Sequence, residues 1–96
     1  MAQLIYSNQA LADLERLTDF LLETEPAAAL ATIALISEAA VILENHPLVG
    51  RPAEHDLHEL VISRGTTGYL ALYSYEEAHD TVLVLAIRQQ REAGYA

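Results

Sequence analysis

The sequence predicts an α+β domain in which a hairpin of two helices packs on one face of an antiparallel sheet, in the order β-α-α-β-β-β. Residues 8–25 repeat leucine at three- and four-residue spacing, and a second apolar segment follows Pro26. Residues 57–87 instead contain three runs rich in aliphatic residues and tyrosine, separated by a glycine turn and an acidic turn. Helices that precede a group of strands are typical of the α+β class.

The first two elements have clear boundary signals. Gln3–Tyr6 is a short strand, and Ser7 or Asn8 can cap the helix that follows by accepting hydrogen bonds from its first free amides. We expect this helix to end near Glu25, because a residue before proline is disfavoured in the α conformation. Pro26 then suits the first turn of the second helix, since its fixed φ fits and its missing N–H has no partner there.

The second helix, from about Pro26 to Asn45, carries apolar residues on more than one face. A helix of this kind is buried on most sides. Two interpretations remain open: it is a core helix between the sheet and the first helix, or part of its surface is covered by another chain. The second arises because a domain of this size has little material to cover it.

A rigid loop and three strands complete the fold. The loop at residues 46–52 contains two prolines and a glycine, and it holds Arg51 between Gly50 and Pro52. We predict for Arg51 either a surface ion pair or a role in orienting the loop or contacting an anionic ligand. Strands are predicted at residues 57–62, 67–75 and 81–87, and the last, continuously aliphatic, is typical of a strand buried on both faces near the middle of a sheet.

Composition restricts the function classes. The 96 residues are expected to form a single domain, residues 1–96, without disulfides because cysteine is absent. We expect a cytoplasmic protein, since no signal peptide or membrane-spanning segment is recognised. Five arginines and no lysine against fourteen carboxylates give a net charge of −9, which disfavours direct DNA binding by this chain alone. No cofactor motif is recognised, and the His55–His58 spacing provides no third ligand, so no metal site is predicted.

The candidate functional residues lie in the C-terminal third. Arg64 ends one predicted strand, Arg88 ends the last, and Arg91 and Tyr95 follow. Guanidinium groups suit phosphate, and a tyrosine hydroxyl can relay a proton. Alternatively, the arginines pair with carboxylates of this chain or of a partner.

Several segments carry a resemblance to a known family. These segments are Leu57–Ile62, Gly68–Tyr73, Val84–Tyr95, Pro26–Ala28 and Gly50–Pro52. In them the sequence resembles the RelE/ParE family of bacterial toxins from toxin-antitoxin pairs, most specifically in its ending up to Gly94-Tyr95. The resemblance covers nearly the whole chain and implies the same β-α-α-β-β-β fold.

The resemblance also implies partners. It implies neutralisation by a cognate antitoxin encoded by an adjacent gene, and this fits the apolar second helix. The expected antitoxin-binding residues are Leu30, Ile33, Leu35 and Ile42. Without an antitoxin, we expect the chain to self-associate.

Two activities are implied by the family, and a third outcome is open. ParE-like members inhibit DNA gyrase by protein contact, for which the target-binding residues here would be Arg88, Arg91 and Tyr95. RelE-like members cut messenger RNA on the ribosome, for which the catalytic residues would be Arg64, Arg88 and Tyr95. The chain has Gln89 where the family usually has histidine, and His58 where many relatives have arginine. Both changes remove groups useful for RNA cleavage, so gyrase inhibition is the leading expectation; a relative that only binds antitoxin is the third possibility.

Overall fold

The computed structural model describes residues 1–64, 67–92 and 94–95, with backbone alone at positions 63, 64 and 67. The strands form one five-stranded sheet in the order β1-β5-β4-β3-β2. The predicted order of elements is confirmed, with one additional two-residue strand, β2. The elements are β1 (Gln3–Tyr6), α1 (Asn8–Thr24), α2 (Pro26–Asn45), β2 (Arg51–Pro52), β3 (His58–Arg64), β4 (Thr67–Glu76) and β5 (Thr81–Gln89).

Both helices begin where their local signals predict. The Ser7 hydroxyl accepts a hydrogen bond from the amide of Ala10 at 3.0 Å, which caps α1. Pro26 is the first residue of α2. The buried side of α1 contains Ala10, Asp13, Leu17 and Leu21, and α1 packs against α2 and β5.

The second helix is buried along one stripe only. That stripe packs towards α1, β1 and β3 and consists of Ala29, Thr32, Ile36, Ala40 and Leu43. The opposite side is exposed although it is apolar, and Leu30 is 83% exposed. By length and composition alone α2 would suffice to cross a membrane, but its buried stripe forms part of the core of this domain.

The sheet is mixed, and the expectation of an antiparallel sheet was wrong for one pair of strands. β1 pairs with β5 in parallel, whereas the other three pairs are antiparallel. The reason lies in the helices. α1 advances along β5, since Ser7 contacts Val84 and Asp13 contacts Ile87, and α2 then returns the chain so that Glu44 meets Ala2. β3 therefore starts from the same end of the sheet as β1. The chain reverses direction twice between β3 and β5, so β5 runs parallel to β1.

The last strand is interior, as predicted, but it is not buried evenly on both faces. Val82, Val84 and Ile87 are buried towards the helices, while Leu83 and Leu85 are half-buried. The register between β4 and β5 shifts by one residue, so that Leu85 has no partner in the ladder. The carbonyl of Leu85 instead accepts a hydrogen bond from the Ser7 hydroxyl at 2.9 Å.

The two faces of the sheet have different roles. Tyr69, Ala71 and Tyr73 alternate along β4, so they share one face; they point towards the helices and are buried in the core. The opposite face, called here the open face, carries Glu59 of β3 and Arg88 of β5, which pair in register with Leu72 and Leu70 of β4. The C-terminal residues fold back across this open face and form the site described next.

Candidate functional site

The centre of the site is the carboxylate of Glu59 on the open face. β2 pairs Arg51 directly with Glu59, and the Nε of Arg51 donates to Oε1 at 2.9 Å. The hydroxyl of Tyr95 donates to the other carboxylate oxygen, Oε2. The loop arginine is therefore in an ion pair, one of its two predicted roles, and one carboxylate joins β2, β3 and the C-terminal residues.

Arg88 lies beside this carboxylate and is held by the chain that follows it. Its NH1 donates to the carbonyl of Glu92 at 2.6 Å and to that of Gln89 at 3.2 Å. The guanidinium carbon lies 4.9 Å from the ring centroid of Tyr95, a cation–π contact. Within the described residues, the Nε of Arg88 is buried and has no hydrogen-bond partner, so this side chain keeps one donor for an additional acceptor.

The cluster changes the acidity of its members. Burial tends to raise the pKa of Glu59, but hydrogen bonds from Tyr95 and Arg51 and the charges of Arg51 and Arg88 outweigh burial, so the pKa of this carboxyl is lowered. The pKa of Tyr95 is strongly raised, first by burial and then by its bond to Glu59. At neutral pH the site therefore holds an ionised carboxylate and a protonated phenol.

A second group of contacts anchors the C-terminal residues to α1. Arg16 donates from NH1 to the carboxylate of Glu92 and from NH2 to the carbonyl of Ile87 at 3.4 Å. The same carboxylate accepts from the backbone amide of Gln89 at 3.0 Å. Asp13, only 2% exposed, accepts from the amide of Ile87 at 2.8 Å. Side chains thus form the hydrogen bonds to the backbone of β5 beyond the point where β1 ends.

The predicted arginines occupy different surroundings. Arg88 and Tyr95 meet on the open face, whereas Arg91 is exposed and lines a cleft of about 390 Å³ at the end of α1. The other described walls of that cleft include Phe20 and Gly68. The backbone of Arg64 ends β3 opposite Thr67, but its side chain lies outside the described part, so its predicted convergence with Arg88 stays a prediction.

The expected antitoxin-binding residues divide into two groups. Leu30 and Ile42 are exposed, at 83% and 49%. Ile33 and Leu35 are half-buried, and Leu35 packs against the core between helices and sheet. Of these four residues, the first pair offers the larger exposed fraction to a partner.

The two positions that depart from the family pattern lie away from the open face. The ring of His58 stacks on Tyr73 on the helix side, with centroids 5.6 Å apart. Gln89 pairs in register with the buried Tyr69 and lines the clefts beside α1. Neither side chain therefore belongs to the Glu59 cluster.

Sequence reasoning missed the role of three residues: Asp13, Arg16 and Glu92. One signal was present, because Arg16 is the single basic residue among the first 48. A lone arginine on an acidic helix is expected to have a specific carboxylate partner, but that partner lies 76 residues away.

Comparison with known proteins identifies the family. A family model described as the ParE toxin of the type II toxin-antitoxin system parDE matches residues 4–94. Toxin RelE3 of Caulobacter vibrioides is 34% identical over 84 residues, which are 88% of this chain and 89% of that protein.

Solved structures agree in fold. A structure of the chromosomal ParDE system of P. aeruginosa superimposes with a TM-score of 0.77 at 24% identity, covering 93% of this chain and 96% of the other. The RelBE2 toxin-antitoxin complex of Mycobacterium tuberculosis superimposes with a TM-score of 0.60 at 27% identity, covering 93% of this chain and 98% of the other. The intact E. coli RelBE complex superimposes with a TM-score of 0.59 at 16% identity, covering 96% of this chain and 100% of the other. From the extent of the family match, together with the related toxin, we conclude that the chain belongs to the ParE/RelE family of type II toxin-antitoxin toxins.

Proposed function

We propose that this chain is a ParE-like toxin that inhibits DNA gyrase by protein–protein contact and is neutralised by a cognate antitoxin in the cytoplasm. Arg88 at the end of β5 would contact the target, together with Arg91 and Tyr95 in the C-terminal residues that follow β5, here called the tail. The observation that carries this proposal is the ionised carboxylate of Glu59 between Arg51, Arg88 and Tyr95.

The Glu59 cluster is poorly suited to cleaving RNA. A phosphate placed on the open face would meet the negative charge of Glu59, which is paired with Arg51 and offsets part of the positive charge of Arg51 and Arg88. The Tyr95 hydroxyl donates a hydrogen bond to Glu59, and the raised pKa of Tyr95 opposes its action as a base near neutral pH. The net charge of −9 adds a general repulsion of RNA.

The relatives support an antitoxin partner. The matching family model is that of the ParE toxin, and three of the similar structures come from toxin-antitoxin systems. In this chain, the exposed apolar side of α2 around Leu30 and Ile42 is the surface on which an antitoxin segment would bury apolar area.

A supercoiling assay with purified protein tests the proposal. We expect inhibition of gyrase at micromolar concentration, and weaker inhibition by Arg91→Glu, because the exposed arginine is replaced by a charge of opposite sign. Glu15→Ala, on the exposed side of α1, is the control for altered charge away from the tail. Absence of inhibition by the unmodified chain across the micromolar range would reject gyrase as the target.

One observation favours a second candidate, a ribosome-dependent messenger RNA endoribonuclease. The Nε of Arg88 is buried and unpaired beside the Tyr95 ring, and a phosphate oxygen would be a suitable acceptor for this donor once movement of the tail exposed it. In this candidate Arg64 and Arg88 bind the phosphate and Tyr95 assists. Cleavage on programmed ribosomes that disappears in Tyr95→Phe, together with no effect on supercoiling, would replace the first proposal with this one.

A further inference from the structure

The tail is tied to α1 by contacts that converge on a single side chain, Glu92. One carboxylate oxygen receives NH1 of Arg16. The other receives the backbone amide of Gln89 at 3.0 Å and lies 3.5 Å from NH2 of Arg16. Both oxygens of one glutamate therefore join α1, the end of β5 and the tail.

Arg16 is itself held by buried groups. Its NH2 lies 3.8 Å from Oδ1 of Asp13, and that aspartate is buried and accepts the amide of Ile87. Gln9 donates to the same Asp13 oxygen at 2.9 Å. The guanidinium is thus anchored on the side of α1 that faces β5, and it presents a fixed charge to the tail.

The geometry points to a function for this arrangement: we propose that Arg16 and Glu92 are positioning residues that clamp the tail in its target-binding conformation. The carbonyl of Glu92 accepts NH1 of Arg88 at 2.6 Å, and the Arg88 guanidinium in turn lies against Tyr95. Release of Glu92 would therefore remove one of the hydrogen bonds that hold Arg88 and loosen the contact of its guanidinium with the Tyr95 ring. This inference rests on the proposed function, in which the tail contacts the target.

Charge explains why this clamp needs an arginine in α1. The tail follows β5, and the neighbouring strand β1 has already ended at Tyr6, opposite Val84. Beyond that point the edge of β5 depends on side chains for hydrogen bonds, and bonds that involve a charged group are stronger than neutral ones. Removing Arg16 leaves Glu92 in a strongly acidic protein without its cation.

Amide hydrogen exchange tests the clamp independently of any target. In Arg16→Ala we expect the amide of Gln89 to exchange about tenfold faster, because its acceptor Glu92 is released. Amides of β4 should keep their rates, which shows that the sheet is intact. Arg16→Lys keeps the charge and should retain part of the protection, and Glu15→Ala should exchange like the unmodified chain.

Energetic coupling between Arg16 and Glu92 provides a second test of the clamp. Glu92→Gln keeps an oxygen that can accept the Gln89 amide but removes the ion pair, so we expect a smaller increase in exchange than in Arg16→Ala. The double variant should exchange no faster than Arg16→Ala alone, because both changes break one interaction. Unchanged Gln89 exchange in Arg16→Ala, or effects that simply add in the double variant, would overturn the clamp.

The gyrase assay then separates the clamp from the proposed function. If both hold, Arg16→Ala should inhibit supercoiling about fivefold more weakly than the unmodified chain, with Arg16→Lys in between. If the unmodified chain does not inhibit gyrase, the proposed target is rejected, and the exchange data alone decide on the clamp. Faster Gln89 exchange in Arg16→Ala with undiminished inhibition would contradict a positioning role, since the tail would then act without being held.

Discussion

At the scale of single residues, two buried or half-buried groups determine how the site is organised. Glu59 accepts hydrogen bonds from Arg51 and Tyr95 on the open face. On the opposite face, the hydroxyl of Tyr73 accepts the amide of Gly50 at 2.9 Å in a buried position. A Cβ at Gly50 would lie 2.7 Å from the Tyr73 ring, so this close approach requires glycine.

Glu59 should make stability depend on pH. The pKa of Glu59 is lowered in the folded chain. The stability that its carboxylate contributes is therefore fully present above the ordinary pKa of 4.5, and it is lost as the pH falls through the lower pKa of the folded chain. We expect the free energy of unfolding of Glu59→Gln to lie furthest below that of the unmodified chain near neutral pH, and the gap to shrink in acid. Urea titrations at several pH values measure this difference in the free energy of unfolding.

Glu15→Gln serves as the control for the Glu59 prediction, because it removes one carboxylate from the exposed side of α1. A gap between Glu59→Gln and the unmodified chain that stays constant from neutral pH into acid would contradict the predicted dependence.

Loss of the Tyr73 hydroxyl should destabilise the fold without disturbing its packing. Tyr73→Phe leaves the Gly50 amide buried without its acceptor, which costs about 1–3 kcal/mol. Chemical denaturation measures this loss. Tyr75→Phe is the matched control, since the hydroxyl of Tyr75 bonds to the exposed Asp80 and its removal should matter less. Equal stability of the two variants would contradict the assignment.

At the scale of elements, α2 combines a structural and an exposed side in one helix. Its buried stripe ends at Leu43, which is fully buried beside Tyr73 and Val82. Leu30 lies on the exposed side near the start of the helix. Leucine therefore occupies two different surroundings on α2, one in the core and one exposed.

Leucine-to-alanine substitutions should separate these two sides of α2. We expect Leu43→Ala to cost about 2–5 kcal/mol, because it opens a cavity in the core. Leu30→Ala should change stability by no more than about 0.5 kcal/mol but weaken antitoxin binding. Denaturation and calorimetric titration with the antitoxin measure the two effects. Full antitoxin affinity in Leu30→Ala would remove this residue from the proposed surface.

At the scale of the whole molecule, charge and exposed apolar surface oppose each other. The net charge of −9 drives copies apart, while the exposed side of α2, with Leu30, Val41 and Ile42, favours burial. Salt weakens the first effect because it screens charges between molecules.

We therefore expect the chain without antitoxin to self-associate, and more strongly as salt is raised. Analytical ultracentrifugation at low and high ionic strength measures this, and Leu30→Asp should reduce it by placing a charge on the apolar side of α2. A monomer at high protein concentration in every salt condition would contradict the prediction.

Local signals made much of the fold predictable. Ser7 and Pro26 act within their own turn of helix, and the alternation of Tyr69, Ala71 and Tyr73 defines the two faces of β4 from the sequence alone. These features depend on neighbouring residues, so a linear pattern contains them. They predict the helix boundaries and the strands, whereas the choice of the face that packs on the helices comes from the structure.

Features that depend on distant residues were not predictable in the same way. The parallel pairing of β1 with β5 follows from the path of the helices. Arg16 and Glu92 meet across 76 residues. Glu59 was considered as a partner for arginine, but the choice of Arg51, and the addition of Tyr95, depend on the register of β2 and on the course of the tail.

The unpaired residue Leu85 has a consequence for how such toxins can change. Along an unbroken strand, Arg88 would share a face with Val82 and Val84 and would point into the core. The extra residue reverses this phase, so that Ile87 enters the core and Arg88 reaches the open face. Deleting Leu85 would leave Val84 opposite Tyr73 and Ala86 opposite Leu72, so β5 would become regular while Ile87 stayed in the core and Arg88 on the open face. Loss of this residue is therefore a change that the sheet can accept without exchanging the side chains on its two faces.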